Sequence, residues 1–274
     1  MRAARLKELH IYPVKSVAGS APGETVVEPW GLAGDRRWML VDKDSRFLTQ
    51  RQWPRMTLIR AELLAHGAIR VAAPGMQPLD VAVPEPCATT SVHIWRDEVQ
   101  AVAAAPEAAE WFGTFLGTRV TLIHLDDPAR RRPVDPGYAL PGEMVTFADG
   151  YPLLLTSAAS LDSLNSLIVQ GDHPHESPLP MNRFRPNVVV EGTQAWAEDG
   201  WRRIVIGEVR FRIAKPCSRC VITTTDQHTA GRGKEPLVTL ARHRRFDGGL
   251  IFGQNLIPEN RGTLRVGDAF TILE

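Results

Sequence analysis

Short β-branched runs, each closed within a few residues by Gly, Pro or Asp, recur along this sequence, and apolar residues at helical spacing are scarce. Proline removes a backbone donor and clashes inside a helix, and glycine loses the most conformational entropy there, so a chain punctuated this often cannot sustain long helices. With 21 Pro and 22 Gly spread through 274 residues, the pattern predicts an α+β, β-rich protein. Its signature is a meander of short strands, as in a small barrel or sandwich, with a few helices.

Strands are predicted at 9–14, 56–62, 69–73, 79–83 and 120–124, with hairpins at 38–42/47–50 and 91–95/98–102. The second half predicts strands at 153–156 and 188–191, a hairpin over 205–213, and closing strands at 251–252, 262–268 and 269–273. Helices are predicted at 105–116, where Pro106 suits the first turn and Gly117 the stop, at 157–168 and at 237–243. Ser157 is an N-cap candidate. The proline-rich loop 126–136, with Arg130-Arg131-Arg132 as a solvated basic run, is a candidate boundary between 1–125 and 126–274.

A net charge of +1 gives no reason to expect nucleic acid or an acidic membrane surface as the main partner. No apolar run has the length of a membrane span, and Met1 to Glu8 lacks the apolar core of a signal peptide. Three cysteines are too few for a disulfide framework. These features give a cytoplasmic expectation.

Two of those cysteines fall in Lys215-Pro216-Cys217-Ser218-Arg219-Cys220, ahead of the β-branched run Val221-Ile222-Thr223-Thr224-Thr225. Lys215 and Arg219 favour a thiolate, the form that attacks or binds a metal. The run that follows reads as a strand, so the cysteines are expected in a turn feeding it, not at the head of a thioredoxin-type helix. Structural zinc needs four ligands, and neither Cys87 nor the spacing of His228 and His243 completes such a set. Two readings stay open on spacing alone: buried cysteines without chemistry, or one thiolate on a soft metal held mainly by a cofactor. Elsewhere, Lys15-Ser16 leaves a strand with a point charge and a hydroxyl donor, a pairing suited to an anion. Arg183-Phe184-Arg185-Pro186-Asn187 offers a guanidinium fork for phosphate and an amide for a heterocycle. Ser157 and Ser160 stand at a helix N-terminus, which also suits phosphate, although capping explains them equally.

Tyr12-Pro13-Val14-Lys15-Ser16, Gly34-Asp35-Arg36, Arg183-Phe184-Arg185-Pro186-Asn187, Cys217-Ser218-Arg219-Cys220 and Val266-Gly267-Asp268 occur in this order in MOSC-domain proteins. From near residue 5 to the C-terminus the chain resembles the amidoxime-reducing-component branch and its bacterial relatives. The resemblance implies a MOSC-type β-barrel over 126–274 that binds molybdenum cofactor, a mononuclear molybdopterin with molybdenum. A smaller β-rich N-terminal domain would cover 1–125, with residues 1–37 packing on the cofactor domain.

It further implies that Cys220 is the metal ligand and a catalytic residue, that Asp226 is an acidic catalytic residue near the metal, and that Lys15, Ser16, Arg36, Ser157, Arg185, Asn187 and Ser218 bind the cofactor. The implied reaction is two-electron reduction of N-hydroxylated substrates: amidoximes, hydroxylamines or N-hydroxylated bases. Some bacterial relatives carry a fused ferredoxin-like domain. Here the sequence runs to Glu274 without one, so the expected electron donor is a separate ferredoxin, flavodoxin, cytochrome or reductase. The alternatives are a non-catalytic cofactor carrier or sulfur-transfer module, and a metal-free binding protein.

Overall fold

A computed structural model describes residues 3–86, 88–247 and 249–274; Cys87 lies outside the described residues. The protein is α+β and β-rich. Seven strands follow one another across one sheet in the order Arg5–Leu9, Val188–Glu191, Leu153–Ser157, Gly249–Pro258, Val209–Ser218, Arg203–Ile206 and Phe270–Ile272. The last returns to the first: Arg5 bridges Ala269, Leu6 N donates to Asp268 O at 2.8 Å, and Phe270 N donates to Ala4 O at 3.0 Å. The sheet thereby comes close to a closed barrel, which removes the exposed edges of an open sheet. Its interior is filled by alternate side chains of the strands, among them Leu6, Leu155, Val190, Ile204, Phe211 and Leu256, all fully buried. Each contributes about 1.5–3 kcal/mol of burial.

Strands Leu153–Ser157 and Val188–Glu191 pair in parallel. Parallel neighbours need a crossover, and helix Ala158–Val169 supplies it. Leu164 and Ile168 of that helix pack outside the barrel on Leu240, Phe184 and Phe252. The N-terminal segment also joins this unit, because Glu24–Glu28 pairs with Gly262–Arg265 and with Gly31–Leu32.

Residues between about 38 and 125 form a smaller β-rich lobe. One sheet runs Trp38–Val41, Thr121–His124, Asp97–Ala103, Thr90–Ile94; another runs Arg60–Leu63, Ile69–Ala72, Leu79–Val81. Helix Pro106–Leu116 covers them, burying Ala108, Phe112, Phe115 and Leu116 against Trp38, Leu40 and Val71. It starts on Pro106 and ends on Gly117 at φ 71°, the left-handed residue that closes a helix.

Several local expectations are corrected. The first strand is Arg5–Leu9, not 9–14. Residues 56–62 split into a 3-10 turn, Pro54–Leu58, and the strand Arg60–Leu63, since Pro54 at the first helical position favours a turn. Residues 47–50 meet Trp38–Val41 through a Val41–Phe47 bridge and a bond from Leu48 N to Leu40 O at 2.8 Å, without forming a strand. The loop 126–136 contains a helical turn, Pro128–Arg131. The run after Cys220 is a 3-10 turn, Val221–Thr224, in which the Thr223 and Thr224 hydroxyls each donate to the carbonyl three residues back, at 2.9 Å. Hydroxyl-to-backbone bonding of this kind competes with strand formation.

Candidate active site

Strands Val209–Ser218 and Gly249–Pro258 slip register twice, between Ile213 and Lys215 and between Pro216 and Ser218. Bulges bend a strand and re-aim its side chains, and these two lie beside the cysteine pair. Gly249 sits against them at φ 113°, where an added Cβ would stand 2.5 Å from Ser218 Oγ. Cys217 thus lies at a strand end and Cys220 just beyond it, both half-buried at the wall of a cleft of about 890 Å³, open mouth included.

The cleft gathers Lys15, Ser16, Arg36, Arg185, Asn187, Ser218 and Cys220 from four separated stretches of chain. Its charge is one-sided. Lys15, Arg36, Arg51, Arg185 and Arg219 face it against one lining carboxylate, Asp149.

Backbone strain concentrates here as well. Ser16, Arg36 and Arg185 all have left-handed backbones, at φ 64°, 47° and 52°. Non-glycine residues in this region cost of order 1–3 kcal/mol, and they cluster where function holds them. Arg36 and Arg185 lie over the buried Tyr12 ring, at 4.4 and 4.2 Å from its centroid. Arg36 also donates to Asp35 Oδ2 at 2.5 Å and to Asn187 Oδ1 at 3.0 Å. Asn187 in turn donates to His10 O at 3.2 Å, so its amide ties the barrel wall to the entering chain. Arg185 donates to Val17 O at 2.8 Å. Burial pushes Arg185 down to about 10, and it remains a cation at neutral pH.

Lys15 is 5 % exposed and donates to Asp149 Oδ1 at 2.5 Å and to Phe147 O at 2.8 Å. Burial draws its ammonium down to about 8, with the Asp149 carboxylate resisting. Cys217 and Cys220 each have a guanidinium beside them. Arg219 Nη1 lies 2.9 Å from Cys217 Sγ, and Arg51 Nη2 lies 3.2 Å from Cys220 Sγ. Arg219 Nε and the Tyr151 hydroxyl are buried beside the cleft without a hydrogen-bond partner among the described residues.

Two residues singled out in the sequence are not brought to the cleft. The Ser157 hydroxyl makes no cap bond; it is fully buried and pairs with Thr193 Oγ1 at 3.1 Å. Asp226 accepts from the backbone N–H groups of His228 and Thr229, both at 2.9 Å, and from Arg183 Nη2 at 3.0 Å. Burial acts to raise its pKa, but these donors outweigh it and hold the carboxyl below its usual range. The carboxylate at the cleft is Asp149 instead, which sequence reasoning did not single out, and the same is true of Arg51 and Asn255. Arg51 follows Thr49-Gln50 with no motif around it. Asp149-Gly150 reads as an ordinary turn, so neither carried a local signal. Among the described residues no group of three or more His, Cys, Asp or Glu could hold a metal by itself, and no helix is long and apolar enough to cross a membrane.

The chain that builds this cleft has relatives among known proteins. Residues 3–119 match the MOSC N-terminal beta barrel domain and residues 142–271 the MOSC domain. The chain belongs to the MOSC-domain family. Within it, human mitochondrial amidoxime-reducing component 1 is 32% identical over 286 residues, covering 97% of this chain and 82% of that protein. Rat mitochondrial amidoxime reducing component 2 is 32% identical over 284 residues, 96% of this chain and 81% of its own. Rice molybdenum cofactor sulfurase is 30% identical over 261 residues, 90% of this chain and 32% of that longer protein. Among solved structures, YuaD from Bacillus subtilis aligns with 98% of this chain and 94% of its own at TM-score 0.44 and 13% identity.

Proposed function

We propose that this protein is a molybdenum-cofactor-dependent reductase of N-hydroxylated compounds, with Cys220 as the protein's ligand to the metal. The observation that carries the reading is the gathering of five cationic side chains and one carboxylate in the cleft that Cys220 lines, in a chain 32% identical to amidoxime-reducing components over nearly its whole length. The donor set fits an anionic, phosphate-bearing pterin. Lysine offers a point charge, arginine forks match phosphate and carboxylate geometry, and a half-buried thiol suits a soft metal.

In this reading Lys15, Ser16, Arg36, Arg185, Asn187 and Ser218 hold the phosphate and the pterin. Lys15 is charged below about pH 8, so the cleft presents its full positive charge at neutral pH. Arg36 is already gripped by Asp35 and Asn187, and its guanidinium is therefore placed before a ligand arrives. Arg51 sets a positive charge beside the Cys220 sulfur. When bound, the cofactor supplies a two-electron redox centre. The overall reaction breaks the substrate N–O bond, takes two electrons and two protons, and releases water and the N–H product. Electrons come from a protein donor. Asp226, tied down by Arg183 and two backbone donors, has a structural task in its loop, and Ser157 lies outside the binding set.

The test is expression in a host that makes the cofactor, followed by metal and pterin analysis. Near one molybdenum and one pterin per chain, with metal lost in Cys220→Ser and kept in Cys217→Ser, is the expected result. Benzamidoxime reduction to benzamidine with a chemical electron donor should then be measurable. Folded wild-type protein lacking both metal and pterin would sink the reading. Full cofactor without turnover would favour the carrier reading, to which the similarity with the rice sulfurase lends support.

A further inference from the structure

A second groove adjoins the cleft. Thr49 and Arg51 line both, and the groove continues over Arg46, Phe47, His93, Trp95 and Arg96. Its floor is fixed by backbone bonds: Arg46 bridges His93, His93 N donates to Ser45 O at 2.8 Å, and Phe47 N donates to His93 O at 3.1 Å. Its charge is again one-sided, with three guanidiniums against the carboxylate of Asp44, which already accepts from Lys43 Nζ at 2.9 Å. Arg46 and Arg96 are exposed, and among the described residues no carboxylate pairs with either guanidinium.

Trp95 is the unusual member. It stands first in the two-residue turn between strands Thr90–Ile94 and Asp97–Ala103, with φ 56°, yet its side chain is 46 % exposed. Tight hairpins give a positive-φ loop position to Gly, Asn or Asp, and a bulky residue held there is an outlier that points to function. The ring is kept in place by Phe47, whose ring centroid is 4.9 Å away, and by the Arg51 guanidinium 4.5 Å from its own centroid. The same guanidinium reaches to 3.2 Å from Cys220 Sγ. One side chain therefore spans the gap between the exposed ring and the thiol.

We propose that the body of the substrate lies in this groove, and that the groove selects flat aromatic N-hydroxylated compounds bearing an anionic group on the side of the ring away from the reacting nitrogen. The proposal rests on the reductase reading. The substrate ring packs along Trp95, its anion meets Arg46 and Arg96, and its N–O end points past Arg51 toward Cys220. Exposed ion pairs are individually weak, so selection comes from two guanidiniums acting together with the ring, and it falls as salt rises.

The probes are 4-carboxybenzamidoxime and the neutral benzamidoxime, which share one reacting group. In calorimetric titrations of the full chain prepared without cofactor, the carboxylate should bind about tenfold more tightly than the neutral compound. Arg46→Ala/Arg96→Ala should abolish that preference. In the loaded enzyme the same double variant should raise KM for 4-carboxybenzamidoxime about tenfold more than it raises KM for benzamidoxime. Trp95→Gly guards against a folding artefact: it relieves the strained turn, so its thermal midpoint should not fall, while KM for both aromatic probes rises. Equal binding of the two probes, with variants indistinguishable from wild type, would overturn the groove and leave the reductase reading standing. Selective binding without any reduction would support the groove and remove the reductase reading.

Discussion

Lys15 is buried beneath the cleft, and its ammonium titrates near 8 because leaving water penalises the charged form. The sign of the resulting pH effect follows from proton counting. Between about pH 8 and the ordinary lysine range, the unfolded chain keeps a proton that native Lys15 has released. Native stability therefore rises with pH across that window, and the burial penalty is fully present below it. The displacement corresponds to about 3 kcal/mol. Urea unfolding of cofactor-free protein at pH 7 and pH 10 should show a rise of this order in wild type relative to Lys15→Met. Parallel pH dependences in the two proteins would mean that Lys15 keeps ordinary lysine behaviour. The same residue shows what a sequence can reveal of a site. Lys15-Ser16 and Arg185 could be flagged as anion binders from residue type alone, whereas the partner that fixes Lys15, Asp149, lies 134 residues away and is found only through the fold.

At the scale of elements, legibility followed the strength of the local signal. The hairpin Thr90–Ile94/Asp97–Ala103 and helix Pro106–Leu116 were readable because alternation, a proline start and a glycine stop all agree. The turns Pro54–Leu58 and Val221–Thr224 were not, because β-branched preference reflects fit to a pleated surface and yields to local hydroxyl bonding and tertiary contact. The second error mattered most, since it concerns the backbone that carries Cys220. The bulged pairing of Val209–Ser218 with Gly249–Pro258 was equally hidden, and Gly249 packs against it at Ser218. Gly249→Ala should destabilise the protein by about 1–3 kcal/mol, because alanine is strained at φ 113°. It should also reduce molybdenum retention by crowding Ser218. The exposed Ser218 hydroxyl can turn aside, so a stability loss with full metal retention would show that the bulge shapes the strand alone. An unchanged thermal midpoint would contradict the backbone argument itself.

At the scale of the whole molecule, the cleft belongs to neither lobe. Thr49 and Arg51 come from the smaller lobe, Lys15, Ser16 and Arg36 from the segment leading into it, and Ser218, Arg219 and Cys220 from the barrel. A buried polar seam holds these parts together. Thr57 Oγ1 donates to Gln227 Oε1 at 2.7 Å, Gln227 Nε2 donates to Gln50 Oε1 at 3.3 Å, and Gln50 Nε2 donates to Ser16 O at 2.9 Å. Arg232 Nη2 adds bonds to Gln50 O and Arg51 O, both at 2.6 Å. The seam thus touches the backbone of two cleft residues, Ser16 and Arg51, while Gln227 itself does not line the cleft. Gln227→Ala leaves the Thr57 and Gln50 side chains buried and short of partners, which costs about 1–3 kcal/mol. If the seam also sets the register of the two lobes across the cofactor site, the variant should hold less molybdenum per chain under conditions where it is still fully folded. Urea unfolding midpoints and metal analysis on the same preparation separate the two effects. A lowered midpoint with undiminished metal would show that the lobes are joined for stability, and that the cleft residues keep their places without the seam.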